Sequence, residues 1–215
     1  MDGNNRWSKK NHKNPYDAYS SGAKKLLTLS SYIFQNYEIN YISAFALSKK
    51  NLKRSSTIIG ALRKVFEYFL NQQNNLLNRS FQISFKGDFS FLDKKSIKKI
   101  YSLESNNPKS KKKLIIYINY SGKDDIIKSC NDYLKIHPNK KITDTIIKNN
   151  LYSKEIPDPD ILIRTGGYQR ISDFMLYQLS FTELMFTKKL WPDLSNTDLN
   201  KFIRKYYETE RKFGL

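Results

Sequence analysis

The sequence has little cysteine, little histidine and no long apolar segment, and each shortage excludes a class of protein. Cys130 is the single cysteine among 215 residues, which excludes an internal disulfide and a cysteine-rich metal site. The longest apolar run, Leu114–Ile118, is far shorter than the roughly 20 residues of a membrane-spanning helix. Residues 1–6 lack the apolar core of a signal peptide. We therefore expect a cytoplasmic protein without a transmembrane helix.

Several familiar catalytic patterns are also missing. The two histidines, His12 and His137, lie far apart and do not form a zinc pair. The chain has no Gly-x-x-x-x-Gly-Lys segment, which excludes a P-loop nucleotide hydrolase, and no nucleophile elbow.

The charge is strongly one-sided, with 38 basic and 20 acidic residues and a net charge of +18. Two explanations stay open: drift towards lysine under AT-rich codon usage, or an anionic partner such as phosphates, nucleic acid or a membrane surface. No nucleic-acid-binding motif is present, so we expect no specific nucleic-acid partner. Arginine is scarce, with 8 residues against 30 lysines. An arginine in this sequence is therefore a better indicator of a phosphate-binding site than a lysine, because its planar fork suits phosphate groups.

Apolar periodicity predicts alternating strands and helices in one domain spanning residues 1–215. The expected strands are short and apolar, at residues 41–47, 81–85, 114–118, 161–163 and 182–186. The expected helices cover residues 20–37, 56–77, 94–104, 126–136 and 142–151, with a last helix after Ser195, where Asp198 completes a capping box. This order predicts an α/β fold with a central, mostly parallel sheet surrounded by helices.

Two segments carry residues that suit a diphosphate. The first is Met1–Trp7, where Asp2 could bind Mg²⁺ and Arg6 could pair with phosphate oxygens; a frayed, solvated terminus is the alternative. The second is Asp160–Ser172, where an apolar strand runs into Gly166-Gly167 with an arginine on each side. Ligands bind beyond the carboxyl ends of parallel strands, so these arginines suit an anion, although solvated arginines at a strand exit are the alternative. Glu183 lies in an apolar stretch, which indicates a paired or metal-bound carboxylate.

Taken together, these segments resemble the cis-prenyltransferases, the undecaprenyl diphosphate synthase family, over nearly the whole chain. Motif order and spacing both agree with that family. The segments that carry the resemblance are Met1–Trp7, Ser20–Lys25, Phe45–Arg54, Gly87–Asp88, Asn119–Gly122, Asp160–Ser172, Tyr177–Leu179, Thr182–Leu184, Phe186–Thr187, Leu190–Asp193 and Glu210–Gly214.

The resemblance implies a fold, an activity and a set of site residues. The family has a parallel sheet of about six strands around a hydrophobic tunnel, and it forms a homodimer. It condenses isopentenyl diphosphate onto an allylic diphosphate, usually farnesyl diphosphate, with Mg²⁺. By resemblance, Asp2 and Asn51 are catalytic and Asp2 and Glu183 bind Mg²⁺. The substrate-binding residues implied are Gly3, Asn4, Arg6, Trp7, Ser48, Arg54, Arg164, Arg170 and Ser172.

The chain departs from the family pattern at several positions. The family has a strand before its Asp-Gly-Asn motif, whereas this sequence starts at Met1. Either the start site is misassigned or the central sheet lacks its first strand. Pro15 and Tyr19 stand where the family has an arginine and a histidine in the allylic site. Further replacements are Asn5 for a glycine, Leu52 for a tryptophan, Tyr168 for an acid and Lys212 for an arginine.

We therefore expect an enzyme that makes a long polyprenyl diphosphate, undecaprenyl diphosphate for a cell-wall lipid carrier, with peripheral contact at the inner face of the membrane. A non-catalytic, partner-dependent subunit of the same family is the first alternative. A basic nucleic-acid-binding protein, based only on the net charge of +18, is the second.

Overall fold

Helices alternate with parallel strands along the chain, as the apolar periodicity predicts. The structure is a computed structural model that describes residues 1–53, 56–71 and 80–210. The α-helices are α1 (Asn4–Lys10), α2 (Pro15–Asn36), α3 (Ser56–Asn71), α4 (Lys94–Glu104), α5 (Gly122–Ile136), α6 (Asp144–Asn150) and α7 (Asn196–Glu208). The strands are β1 (Tyr41–Ser48), β2 (Gln82–Gly87), β3 (Lys113–Tyr120), β4 (Ile161–Arg164) and β5 (Glu183–Phe186), and short 3₁₀ helices cover Lys49–Lys53 and Trp191–Asp193.

All strand pairs are parallel, and among the described residues they form two sheets rather than one. The first sheet has the order β1-β3-β2, and the second pairs β4 with β5. The expected single sheet of about six strands therefore appears as five strands in a three-stranded and a two-stranded unit. Residues 1 and 2 connect the two units. Met1 packs against the core of the first sheet, whereas the backbone of Asp2 bonds to a hydroxyl just after β4 instead of continuing a backbone ladder.

The central strand β3 explains why the first sheet has a core on both faces. It is a nearly continuous apolar run with seven of its eight residues buried, as is typical of a strand covered on both sides. Leu114, Ile116 and Ile118 face the larger core beside α2 and α3. Ile115 and Tyr117 face a smaller, aromatic core that includes Phe174, because neighbouring side chains in a strand point to opposite faces.

A largely apolar cavity of about 350 Å³ lies between α2, α3 and the first sheet. The resemblance implies a hydrophobic tunnel, and this cavity lies against α3. The lining residues are Met1, Asn4, Tyr19, Gly22, Ala23, Leu26, Ala46, Leu47, Leu52, Leu62, Arg63, Val65, Phe66, Phe69, Phe85, Phe91, Ile116, Ile118 and Trp191.

The predicted elements are confirmed, with differences at their ends. The helix expected at 20–37 begins at Pro15, where the Asn14 side chain caps it, and the helix expected at 126–136 begins at Gly122 after the cap Ser121. The helix expected at 56–77 is described as far as Asn71, so residues 72–77 lie outside the described part. The capping box of Ser195 and Asp198 is present. Helix α1 was not predicted, because its polar residues carry no apolar stripe. In the described ranges, no helix has both the length and the apolar character needed to cross a bilayer.

Candidate active site

The residues of the two diphosphate-binding segments meet beyond the carboxyl end of β4. Asp2 is anchored there by its backbone. Its N–H donates to the Thr165 hydroxyl at 2.9 Å, and that hydroxyl donates to the Asp2 carbonyl, also at 2.9 Å. The backbone N–H of Trp191 donates to the same carbonyl at 3.0 Å. Gly3 follows in a left-handed conformation with a φ of 106°, and helix α1 begins immediately after it. After this turn, Asp2 and Arg6 lie on one side of the segment and Asn4 lies on the other.

One side of that segment carries an ion-pair cluster. A guanidinium nitrogen of Arg164 donates to the Asp2 carboxylate at 2.8 Å, and Arg6 lies 3.6 Å from the other carboxylate oxygen. Burial alone would raise the pKa of Asp2, but the hydrogen bond and charge of Arg164, with the charge of Arg6, lower it below its usual value. Asp2 is therefore ionised at neutral pH, and its carboxylate is about a third exposed.

The fork of Arg164 also organises the loop that follows β4. Its second terminal nitrogen donates to the Ser172 hydroxyl at 2.6 Å and to the Arg170 carbonyl. Ser172 and the next residue, Asp173, have left-handed backbones with φ of 53° and 67°, a conformation that costs a non-glycine residue energy and is common at functional sites. The structure thus brings Asp2, Arg6, Arg164, Arg170 and Ser172 into one neighbourhood.

Gly166 allows the two segments to approach each other. Its φ is +88°, and a Cβ atom built on it would lie 2.5 Å from the Arg6 guanidinium and 3.3 Å from Asp2. A side chain at this position would therefore push Arg6 away from the cluster. Position 166 therefore requires glycine for two reasons: its positive φ and the lack of space for a side chain.

The other side of the N-terminal segment faces the apolar cavity. Met1 and Asn4 line that cavity together with Tyr19 and Gly22 of α2. Among the described residues, the Asn4 side-chain oxygen and the Tyr19 hydroxyl are buried and have no hydrogen-bond partner. Buried polar atoms without partners are rare in folded proteins, so these two atoms are candidates for contact with a polar group of a ligand. A cation-rich cluster and an apolar cavity therefore share one wall, residues 1–6.

Pro15 and Tyr19, the two departures from the family pattern in the allylic site, have clear structural positions. Pro15 is the first residue of α2, where the missing N–H costs nothing. Tyr19 lies one turn later and brings its hydroxyl to the cavity that a histidine would face by resemblance.

Other predicted residues lie at the sheet edge or elsewhere. Ser48 ends β1 opposite Tyr120, and Asn51 lies in the 3₁₀ helix that follows, next to the cavity-lining Leu52. The indole N–H of Trp7 donates to Asp193 at 2.7 Å, which ties α1 to the 3₁₀ helix Trp191–Asp193. Arg54 and the segment after Glu210 lie outside the described residues.

Glu183 lies apart from Asp2 within the chain. It starts β5 opposite Ile161, whereas Arg164, the partner of Asp2, lies at the other end of β4 opposite Phe186. Three residues of a strand span about 10 Å. The role of Glu183 in binding Mg²⁺ stays a prediction. No group of three or more metal-binding side chains occurs in residues 1–53, 56–71 or 80–210. Asp2 by itself fits Mg²⁺, which commonly binds one or two carboxylates together with substrate phosphates.

Sequence reasoning missed two residues that build the site. Thr165 is buried at 1% exposure and positions Asp2. Trp191 donates its indole N–H to the Gly22 carbonyl at 2.9 Å and lines the cavity. The available signal was that both lie inside motifs of the family resemblance.

Comparisons with known proteins show the family to which the chain belongs. Residues 1–214 match the model of the undecaprenyl diphosphate synthase family. The chain is 34% identical to an isoprenyl transferase of Rickettsia prowazekii, an alignment covering 100% of the chain and 95% of that protein. It is 33% identical to dehydrodolichyl diphosphate synthase 4 of Arabidopsis thaliana, with 100% and 77% covered. The crystal structure of lavandulyl diphosphate synthase from Lavandula x intermedia, bound to dimethylallyl diphosphate, superposes with a TM-score of 0.88 at 28% identity, covering 100% of the chain and 95% of that structure.

Proposed function

Because this chain belongs to the undecaprenyl diphosphate synthase family of prenyltransferases, we propose that it condenses isopentenyl diphosphate onto an allylic diphosphate. The allylic substrate we propose is farnesyl diphosphate, and the product is a long polyprenyl diphosphate, undecaprenyl diphosphate for a cell-wall lipid carrier. The observation that carries this proposal is the shared wall of residues 1–6, with Asp2 and Arg6 on the cationic side and Met1 and Asn4 on the apolar side. An allylic diphosphate has the same division into an anionic head and an apolar tail.

The wall orients the allylic substrate. The cavity of about 350 Å³ takes the apolar tail, because burying hydrocarbon there removes it from water. The unpartnered oxygens of Asn4 and Tyr19 belong to residues that line this cavity, so they would contact the bound allylic substrate. Binding the tail on one side and the head on the other holds the reacting carbon at the wall.

The arginine cluster takes the second substrate. Arg164, Arg170 and Ser172 bind the diphosphate of isopentenyl diphosphate, so that its alkene lies beside the allylic carbon. The allylic C–O bond then breaks, diphosphate leaves with the bonding electrons, the alkene forms the new C–C bond, and a proton is lost. Positive groups near the leaving diphosphate stabilise the charge that develops on it, and the apolar lining of the cavity disfavours water beside the allylic cation.

Asp2 would hold Mg²⁺ together with the substrate phosphates. When bound, the metal would supply further neutralisation of the leaving diphosphate. The carboxylate fits this role because its pKa is lowered and it stays about a third exposed.

We extend the proposal to a cytoplasmic homodimer with peripheral contact at the inner membrane face. Phe181 is 63% exposed and Leu184 is 46% exposed, next to and within β5, which supports a contact that covers them. The net charge of +18 and the apolar product support contact with an anionic lipid surface.

Product analysis with Mg²⁺, farnesyl diphosphate and labelled isopentenyl diphosphate tests the function. We expect a ladder of extended products from the wild-type protein and none from Asp2→Ala. Asp17→Ala, which removes an exposed carboxylate on α2, is the matched control and should keep the ladder. A folded wild-type protein that yields no extended product, or an Asp2→Ala variant as active as wild type, would contradict the proposal.

A further inference from the structure

Three arginines surround the aromatic ring of Tyr168. The guanidinium carbons of Arg170, Arg6 and Arg164 lie 4.1, 4.9 and 5.8 Å from the ring centroid. All three distances fall within the range of cation–π attraction. Tyr168 itself is 43% exposed, so its ring is a surface feature of the site and not a core residue.

Three guanidinium groups gathered around one ring repel one another. Among the residues that the structure describes, Asp2 is the one carboxylate that forms ion pairs with them. Asp2 pairs closely with Arg164 at 2.8 Å but is 3.6 Å from Arg6. In the ranges that the structure describes, the Arg170 guanidinium makes no hydrogen bond or ion pair. The ring of Tyr168 is therefore the contact that holds Arg170, and it supplements the long ion pair of Arg6.

An aromatic ring attracts cations without cancelling their charge. The three arginines and Asp2 together carry a net charge of +2, and the uncharged ring leaves that value unchanged. A carboxylate at position 168 would reduce the local charge to +1 and compete with an anionic ligand for the same guanidinium groups. The ring thus gathers the three guanidinium groups while it keeps their full attraction for a diphosphate.

We propose that Tyr168 is a positioning residue that holds Arg170 close to Arg164 as a preformed site for the diphosphate of isopentenyl diphosphate. The same ring holds Arg6 beside this site, on the side of the allylic head group. The proposal rests on the proposed function, and it deepens it by assigning a role to a residue that stands where the family has an acid. The π-face of the ring, and not the hydroxyl, performs this role.

Inorganic pyrophosphate is a direct probe of the site, because its binding can be measured by calorimetry without catalysis. We expect Tyr168→Leu, which keeps an apolar side chain but removes the π-face, to weaken pyrophosphate binding by about tenfold. Tyr168→Phe should bind within about twofold of wild type. Tyr101→Leu, a matched change at a tyrosine of α4 that is 59% exposed, should have no effect.

Steady-state kinetics separate positioning from general damage. In Tyr168→Leu, KM for isopentenyl diphosphate should rise several-fold more than kcat falls, and Tyr168→Phe should restore both values. Equal pyrophosphate affinity in Tyr168→Leu and wild type would overturn the inference about Tyr168. It would not contradict the proposed prenyl transfer. A loss in Tyr168→Phe as large as in Tyr168→Leu would also overturn it, because the hydroxyl would then be responsible. If pyrophosphate binding follows the expected pattern but no prenyl transfer occurs, the proposed function fails and the anion site remains.

Discussion

The hydroxyl of Thr165 accepts the N–H of Asp2 and donates to the carbonyl of the same residue, with both distances at 2.9 Å. One side chain thereby replaces the two backbone partners that a neighbouring strand would offer. Because Thr165 follows β4 directly, the position of the Asp2 carboxylate is tied to the end of that strand.

Thr165→Val should lower the free energy of unfolding by about 1–3 kcal/mol, because it keeps the shape but leaves the N–H of Asp2 without its partner. The Asp2 carbonyl keeps the hydrogen bond from the Trp191 N–H. Thr165→Ser keeps the hydroxyl and should retain most of the stability. Urea denaturation of the two variants and wild type measures the difference. Equal stability of the valine and serine variants would show that the hydroxyl does not hold Asp2.

Gly166→Ala should destabilise the protein by about 1–2 kcal/mol, because φ is +88° and alanine is strained in that region. It should also weaken pyrophosphate binding, since the new methyl group would lie 2.5 Å from the Arg6 guanidinium. Calorimetric titration and thermal unfolding measure the two effects. Gly60→Ala is the control: it lies in α3 with open space around it and should stabilise the helix by about 1 kcal/mol. The prediction is wrong if both alanine variants behave alike.

Ala46→Leu should shorten the longest product, because the added side chain projects into the cavity of about 350 Å³ that we propose for the growing tail. Chromatography of the labelled products measures the shift. Ile127→Phe, a surface position that is 58% exposed, adds bulk outside the cavity and should leave the product ladder unchanged. An unchanged ladder in Ala46→Leu, with the variant folded, would mean that the tail lies elsewhere.

Asp198→Asn should lower stability at pH 7 by about 1 kcal/mol, because Asp198 completes the cap of α7. Lys189 donates to both of its carboxylate oxygens, at 2.7 and 2.8 Å. Burial opposes ionisation, but the hydrogen bonds from Lys189 and Ser195 lower the pKa of Asp198 to about 2.

The lowered pKa of Asp198 makes the stability of the protein depend on pH. A folded pKa below the unfolded value of about 3.9 gives stability that is complete above about pH 4 and is lost as the pH falls towards 2. The gap between wild type and Asp198→Asn should therefore close over that interval. Glu155→Gln, a change at an exposed carboxyl, is the control and should show no such closing gap. A constant difference from pH 7 to pH 2 would contradict the assignment.

The strands and most helices could be predicted from the sequence because the spacing of their apolar residues matches the faces that they bury. The run Leu114–Ile118 is apolar throughout because β3 is covered on both faces. The predicted helix starts were less accurate, because the caps Asn14 and Ser121 lie outside the apolar stripe. The pair Asn14-Pro15 was nevertheless a usable signal for a helix start. Six of the seven residues of α1 are polar, and a single tryptophan among them makes no apolar stripe.

The site was predictable only where its contacts are local or carried by the family resemblance. Arg164 and Ser172 are eight residues apart, and the motif already placed them together. Asp2 and Arg164 are 162 residues apart, so no local pattern predicts their ion pair. The parallel register of β4 and β5, which separates Glu183 from Asp2, likewise depends on pairing that one sequence does not display.

Trp191 connects the ion-pair cluster around Asp2 with the apolar cavity. Its backbone N–H bonds to the Asp2 carbonyl, its indole N–H bonds to the Gly22 carbonyl, and its ring lines the cavity. We therefore expect a change in the apolar wall to shift the backbone of Asp2, and a change at Asp2 to shift the wall in return. Affinity for a hydrocarbon tail and affinity for an anionic head should therefore be thermodynamically linked, so that filling either half makes the other easier to fill.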